Sequence, residues 1–251
     1  MSASPGVMVV TGASRGIGAA VARLAASRGF AVCVNYRSRA DLAQGVCDAI
    51  IAAGGRACAI QADVSVDAEV VRLFQQVDQW QAGPLLALVN NAGLTHGTRG
   101  LFMDMDAEQV AKIVAVNLMG TLSCSREAMR RMALSRGGKG GSIVHVSSQA
   151  GVFGGQKIAV YAASKAAINT FTVGLAREAA PEGIRVNSVS PGIIASGEHI
   201  GQTAEQQAQL ASSIPLQRIG SPDDVAQAVM WLISESASYI TGTILPVAGG
   251  R

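Results

Sequence analysis

The sequence predicts an α/β domain, a parallel sheet with helices on both faces, and three observations carry that expectation. Short apolar runs alternate with longer amphipathic stretches from one end of the chain to the other, which is the pattern of repeated strand–helix–strand units. The first apolar run is followed at once by clustered glycines and then by a helical pattern. Finally, the residues best suited to chemistry fall just after the predicted strands, where open parallel sheets bind ligands. At 251 residues the chain suits one large domain, and no repeat, linker or low-complexity segment divides it.

Residues 6–11, with V-M-V-V at their centre, read as a buried first strand. The turn Gly12-Ala-Ser14-Arg15-Gly16-Ile17-Gly18 follows, and a helical pattern covers 19–28. Glycines let the backbone bend sharply and approach a pyrophosphate, to which a helix N-terminus offers free N–H groups and a positive dipole end. The spacing is G-x-x-x-G-x-G, not the commoner G-x-G-x-x-G. Gly12 to Gly16 also spells the G-x-S-x-G of a hydrolase nucleophile elbow. That chemistry needs an acid and then a histidine downstream, and the histidines are His96, His145 and His199, none of them in the last fifty residues. The hydrolase reading is therefore set aside.

A second strand over 31–35 ends in Asn35-Tyr36-Arg37, where a dinucleotide site usually carries a carboxylate for the ribose hydroxyls. Nothing there repels a 2′-phosphate, and the Arg37 guanidinium can grip one, so the residues favour NADP(H) over NAD(H). Arg15 is a second cation for the same phosphate. The alternative is that Arg37 and Arg39 simply solvate the start of the next helix.

That helix covers 41–53, and a third strand over 56–61 leads to Asp63-Val64. The helix over 67–81 buries Val70, Val71, Phe74 and Val77, and a fourth strand over 85–89 runs into Asn90-Asn91-Ala92-Gly93. Asp106 to Gln109 resembles a capping box opening one helix that reaches about 135, with Asn117 in an apolar run where it must find partners. Arg130, Arg131, Arg136 and Lys139 close it and complement the dipole; a docking patch for an acidic carrier is the other reading. A fifth strand over 142–147 delivers Ser147 and Ser148. After a helix over 161–180 comes a sixth strand over 184–190, closed by Pro191-Gly192. Residues 193–215 read as a polar, irregular lid with Gly197 and Gly201 as hinges. Ser221-Pro222-Asp223-Asp224 starts a helix with Val225, Val229, Leu232 and Ile233 as its buried stripe, and 243–247 is the last strand.

The chemistry concentrates between Ser148 and Lys165. Tyr161 and Lys165 stand four apart in an alanine-rich helical run and so share a face, about 5–6 Å apart at Cβ. A phenol is a weak acid, and a fixed ammonium beside it favours its ionised form. Such a pair can exchange a proton with a substrate, and the Ser148 hydroxyl, brought back by the loop over 151–155, can hold the substrate oxygen.

In order and spacing, the segments Thr11 to Gly18, Asp63-Val64, Asn90 to Gly93, Asn117, Ser148, Tyr161-x-x-x-Lys165, Pro191-Gly192 and Tyr239-Ile-Thr-Gly242 resemble the short-chain dehydrogenase/reductase family from end to end. The resemblance implies a Rossmann-type, doubly wound sheet of seven strands and a nicotinamide cofactor. It implies Tyr161 as acid/base and Ser148 as the group that stabilises the oxygen. Lys165 would lower the Tyr161 pKa and hold the nicotinamide ribose, and Asn117 would support a water-linked proton path through Lys165. Gly12, Ser14, Arg15, Gly16, Ile17, Gly18, Asn35, Tyr36, Arg37, Asp63, Val64, Asn91, Ala92, Gly93, Tyr161, Lys165, Pro191, Gly192, Ile194 and Ser196 would form the cofactor site. Ser196 stands where relatives often have Thr. Acyl-carrier-protein ketoreductases of the family grip their carrier with two basic residues, and the matching positions here are Lys139 and Glu182, one of them acidic. A 3-oxoacyl-carrier-protein reductase and a sugar 1-dehydrogenase are the alternative enzymes; a non-catalytic NADP(H)-binding sensor is the alternative outside enzymes. Small residues at Ala163, Ala167, Thr170 and Gly174 form a second stripe on the Tyr161 helix, and pairing of these helices in the family leads to the expectation of a homotetramer.

Composition bounds the rest. With 20 basic and 17 acidic residues, the net charge of +3 makes no case for nucleic acid or a membrane surface. Four cysteines without C-x-x-C spacing suggest free thiols in a reducing compartment. No signal-like N-terminus or run of roughly 18 apolar residues appears, so a soluble cytoplasmic protein acting on a small carbonyl or alcohol is expected.

Overall fold

Strand β1 (Val7–Val10) has no exposed residue, because its side chains alternate between two apolar layers. Val7 and Val9 join a core with Leu73, Phe74, Met132 and Leu175, whereas Met8 and Val10 join one with Val21, Val46, Val225 and Met230. A strand buried on both faces must be covered by helices on both, which is the condition under which parallel sheets occur. The computed structural model, which describes residues 6–94, 100–196 and 203–251, meets that condition.

The sheet contains β1, β2 (Ala31–Tyr36), β3 (Arg56–Gln61), β4 (Leu85–Asn90), β5 (Gly141–Val146), β6 (Ile184–Pro191) and β7 (Ile244–Val247). Its spatial order is β3-β2-β1-β4-β5-β6-β7, and every pairing is parallel. The order reverses between β1 and β4, which opens a crevice beyond their C-terminal ends. The crossovers are α1 (Gly16–Ser27), α2 (Ala40–Ala52), α3 (Asp67–Gln79), α4 (Ala107–Val114), α5 (Gly120–Met132), the short α6 (Ala150–Phe153), α7 (Ala159–Ala179), α8 (Ala204–Ser212) and α9 (Pro222–Ile233). The doubly wound, seven-stranded α/β domain expected from the sequence is the fold observed.

Three local expectations need correction. The single helix expected over 106–135 does open on a capping box, with Gln109 N–H donating to Asp106. It passes, however, through a π-turn at Ala115–Met119 that holds Asn117, and it ends at Met132. The expected loop over 151–155 contains α6. The segment 193–215 is not irregular throughout: α8 is capped by Thr203, whose hydroxyl accepts from Gln206 N–H while the Gln206 side chain accepts from Thr203 N–H. Gly197 and Gly201, the expected hinges, lie outside the described residues, as do His96 and His199. All four cysteines are free thiols, and no helix among the described residues is long and apolar enough to cross a membrane.

Candidate active site

The crevice floor is a glycine loop held from below. Thr11 Oγ1 accepts from the N–H groups of Asn91 and Ala92, each at 3.0 Å. The Asn91 amide donates to the carbonyls of Thr11 (2.9 Å) and Gly12 (3.0 Å). From the other side Asn35 Oδ1 accepts from Gly12 N–H at 3.2 Å, while its Nδ2 donates to Ala62 O at 3.1 Å. These bonds bring the ends of β1, β2, β3 and β4 into one bed. The Asn35 amide and the Asn91 Nδ2 are thereby tied to the loop.

The loop fits a dinucleotide phosphate. A Cβ at Gly18 would stand 2.5 Å from Asn91 Nδ2 and 2.8 Å from Gly12 O, and Gly12 sits at φ +61° with its Cβ position 2.9 Å from Ala92 Cα. Only glycine satisfies both the close approach and the left-handed backbone. Helix α1 starts on this loop, and its N-cap Arg15 offers no side-chain hydrogen bond. The first-turn N–H groups therefore face the crevice with a positive dipole end and no protein acceptor from the cap, a ready anion site.

At one end, beyond β2, the crevice is lined by Arg15, Tyr36, Arg37, Ser38 and Arg39. Arg39 is held by Asp41 through two hydrogen bonds of 2.9 and 2.6 Å. Arg37, half exposed, has its guanidinium 4.0 Å from Asp63, a carboxylate whose Oδ1 accepts from Ser65 N–H and Oγ–H. The sequence places no acid beside Arg37; the β2–β3 pairing supplies one.

At the other end stand Ser148, Tyr161 and Lys165, together in the same crevice of about 440 Å³. Ser148 leaves the end of β5, and its Oγ accepts from Ala150 N–H at 3.1 Å as α6 begins. Tyr161 and Lys165 ride on α7, with Lys165 Nζ 5.8 Å from the Tyr161 ring centroid. Lys165 is 4% exposed and its Nζ donates to Val146 O at 2.8 Å. Burial pulls its pKa down to about 8, so the ammonium is still the major form at pH 7. Asn117, fully buried, stands behind it: Oδ1 accepts from Leu94 N–H at 2.7 Å and Nδ2 donates to Ser164 Oγ at 3.1 Å.

Of the residues picked out from sequence, Gly12, Ser14, Arg15, Gly16, Ile17, Asn35, Tyr36, Arg37, Asp63, Val64, Asn91, Ala92, Gly93, Ser148, Tyr161, Lys165, Pro191, Gly192, Ile194 and Ser196 all line the crevice. Gly18 and Asn117 lie beneath its wall. Leu94, just after Gly93, and Ala150 and Ile158, in the stretch between Ser148 and Tyr161, also line it, as expected of the loops around the motifs; the sequence reading did not anticipate Val116, an aliphatic residue whose only signal was adjacency to Asn117. Nor did it single out the anchoring role of the Thr11 hydroxyl.

The family model described as Enoyl-(Acyl carrier protein) reductase matches residues 12–251. A solved short-chain dehydrogenase/reductase from Serratia marcescens BCRC 10948 superposes with a TM-score of 0.90 at 35% identity, covering 100% of this chain and 99% of its own. The chain belongs to the short-chain dehydrogenase/reductase family. As a member it is an oxidoreductase built around a nicotinamide cofactor. Among similar proteins are the uncharacterized oxidoreductase YgfF of Escherichia coli K12, 46% identical over 98% of this chain and 99% of its own length, and the 3-oxoacyl-[acyl-carrier-protein] reductase FabG of Staphylococcus aureus Mu50, 39% identical over 96% of each.

Proposed function

We propose that the protein is an NADP(H)-dependent oxidoreductase that interconverts a carbonyl and a secondary alcohol, with Tyr161 as its acid/base. The observation that carries this reading is the buried Lys165 ammonium 5.8 Å from the Tyr161 ring, in the crevice that also holds the glycine loop and Arg37. The bound nicotinamide would supply or accept the hydride. The pyrophosphate would rest on the loop from Gly12 to Gly18, and Arg37 with Arg15 would take the 2′-phosphate.

The remaining work falls to side chains. In reduction, the Tyr161 hydroxyl gives its proton to the substrate oxygen as negative charge builds, and in oxidation it takes that proton back. The Lys165 ammonium, held by Val146 O, stabilises negative charge on the phenol oxygen. Ser148 donates to the same substrate oxygen, a kind of prepositioned bond worth about 2.7–4 kcal/mol. Asn117 supports a water-linked proton path that returns protons through Lys165. Replacing Tyr161 with Phe should abolish turnover and leave cofactor binding intact by fluorescence titration. A variant that keeps more than about a tenth of the wild-type rate would overturn the assignment, because positioned proton transfer contributes about 10²–10⁴-fold. Tight NADPH binding with no hydride transfer across carbonyls and alcohols would instead favour a sensor.

The 39% identity to a 3-oxoacyl-[acyl-carrier-protein] reductase makes carrier-bound acyl chains the leading alternative substrate. Glu182 argues against that choice, since its carboxylate is occupied by Ser135 N–H at 2.9 Å and Oγ–H at 2.8 Å. Arg130 and Arg131 are likewise paired, with Glu127 and with Asp78. A sugar is the second alternative. We place the enzyme in the cytoplasm as a homotetramer: Ala163, Thr170 and Gly174 are exposed on α7, where small residues allow close helix approach. Sedimentation of monomer alone at micromolar concentration would refute the assembly.

A further inference from the structure

Beneath the crevice, α5 and the π-turn before it are joined to α7 by a column of polar side chains that, below Asn117, the chemistry above does not use. Its top rung is the Asn117–Ser164 bond beside Lys165. One turn along, the Thr121 hydroxyl donates to Asn117 O at 2.9 Å, and one turn further the Ser125 hydroxyl donates to Thr121 O at 2.7 Å. At that level the space between the helices is filled by His145 of β5, which is 0% exposed. His145 Nε2 lies 3.2 Å from Ser125 Oγ on α5, and Nδ1 lies 2.9 Å from Thr172 Oγ1 on α7. The Phe171 ring stacks on the imidazole with centroids 5.6 Å apart. Asn90 of β4 donates to Ser125 Oγ at 2.9 Å, and Ser188 of β6 donates to His145 O at 3.1 Å.

Strand alternation puts Ser147 on the same face of the sheet as His145, and Ser147 Oγ donates to Lys165 O at 3.1 Å. β5 thus holds α7 at two levels, Lys165 and Thr172, and through His145 it holds α5 as well. An apolar residue would fill the same volume yet leave helix spacing to side-chain packing, whereas hydrogen bonds tolerate only a narrow range of distance and angle.

The hydroxyls of Ser125 and Thr172 each lie within donating distance of a carbonyl one turn back, those of Thr121 and Ile168. Both oxygens also face the ring, which when neutral offers one N–H and one acceptor nitrogen. Burial, with a smaller contribution from the Lys165 charge, pulls the His145 pKa down to about 3. The ring is therefore neutral, and one hydroxyl turns its proton to the bare nitrogen. Lys165 on α7 is the charged group that acts on this ring; the partners from β4, α5 and β6 are Asn90, Thr121, Ser125 and Ser188, all neutral.

We infer that His145 is a positioning residue: bonded to α5 through one ring nitrogen and to α7 through the other, it sets the spacing of the two helices and so the depth at which Lys165 and Asn117 stand below the crevice. The consequence for turnover rests on the proposed function; the consequence for Lys165 does not.

The chain has four lysines, Lys112, Lys139, Lys157 and Lys165, of which only Lys165 is buried. Carbon-13 labelling of lysine, with Lys165→Met for assignment, should show the Lys165 titration near 8. In His145→Leu the column is broken, and the Lys165 titration should rise by about half a pH unit or more as water reaches the ammonium. His145→Gln, whose amide reaches toward Ser125, and His145→Asn, whose amide reaches toward Thr172, should each shift it less. Turnover in His145→Leu should fall about tenfold in kcat with the cofactor Kd within about twofold, the signature of displaced catalytic groups. An unchanged Lys165 titration in folded His145→Leu overturns the inference. Should that variant fail to fold, no shift in either amide variant overturns it equally. A shifted titration in a protein whose wild type turns over no substrate sinks the proposed function and leaves the positioning role standing.

Discussion

Arg37 is the residue on which cofactor choice turns. Its neighbour Arg39 is neutralised by Asp41, whereas Arg37 has, among the described residues, the more distant Asp63, 4.0 Å away. Arg37→Asp should weaken NADPH about ten- to hundredfold, the worth of a lost charge-assisted bond, and leave NADH within about twofold. Parallel fluorescence titrations check this, and equal losses for both cofactors would sink the clamp. At this scale the sequence was legible for residue types that have few other uses. A tyrosine and a lysine one turn apart, and glycines after a strand, pointed to the crevice correctly. The loop-holding role of Asn35 was not legible, because an amide that binds a ligand and an amide that ties down a loop have the same chemistry. Nothing short of the β2–β3 register shows that this one is consumed by Gly12 and Ala62.

Helix ends show what elements require. The last carbonyls of α9 meet the Arg185 guanidinium, which donates to Leu232 O at 2.6 Å, Ile233 O at 3.0 Å and Ile240 O at 3.2 Å. Those carbonyls lack intrahelical partners. Arg185→Met keeps much of the stem's packing and strands them, which should cost about 3 kcal/mol in urea unfolding with the slope unchanged. The capping boxes at Asp106 and Ser221 were readable as an acid or hydroxyl three residues before Gln or Asp. The same signal, T-A-E-Q at Thr203, is masked in the sequence because the flanking residues are polar and their helix has no strong apolar stripe. The π-turn at Asn117 had no sequence signature at all. A helix widens there through its packing, and packing is decided by residues far away in the chain.

For the whole molecule, the buried imidazole predicts how acid unfolds it. With a folded pKa near 3 against an ordinary value of 6.5, His145 stays neutral in the native state while the unfolded chain takes up a proton below 6.5. Stability is therefore lost as pH falls from about 6.5 toward 3, by about 2 kcal/mol at pH 5 from this group alone. Urea titrations at pH 7 and pH 5 should show that the pH-dependent loss is smaller in His145→Gln by about that amount; an identical loss would mean that the ring already charges in the native state. The layering of a parallel sheet between helices needed little beyond alternation of apolar runs with helices, since each interior strand must be covered twice. Which polar groups lie beneath the cover was not readable, because serine, threonine and histidine in an apolar run look alike whether they pair with one another or face water.

Thr11, Asn35 and Asn91 latch four strand ends together using groups supplied by the chain itself. A seat completed in advance asks little rearrangement of its occupant, so the free energy of docking is not drained by ordering the protein. Mutating one latch, for example Thr11→Val, would be felt as weaker retention of every dinucleotide alike, without favouring one over another.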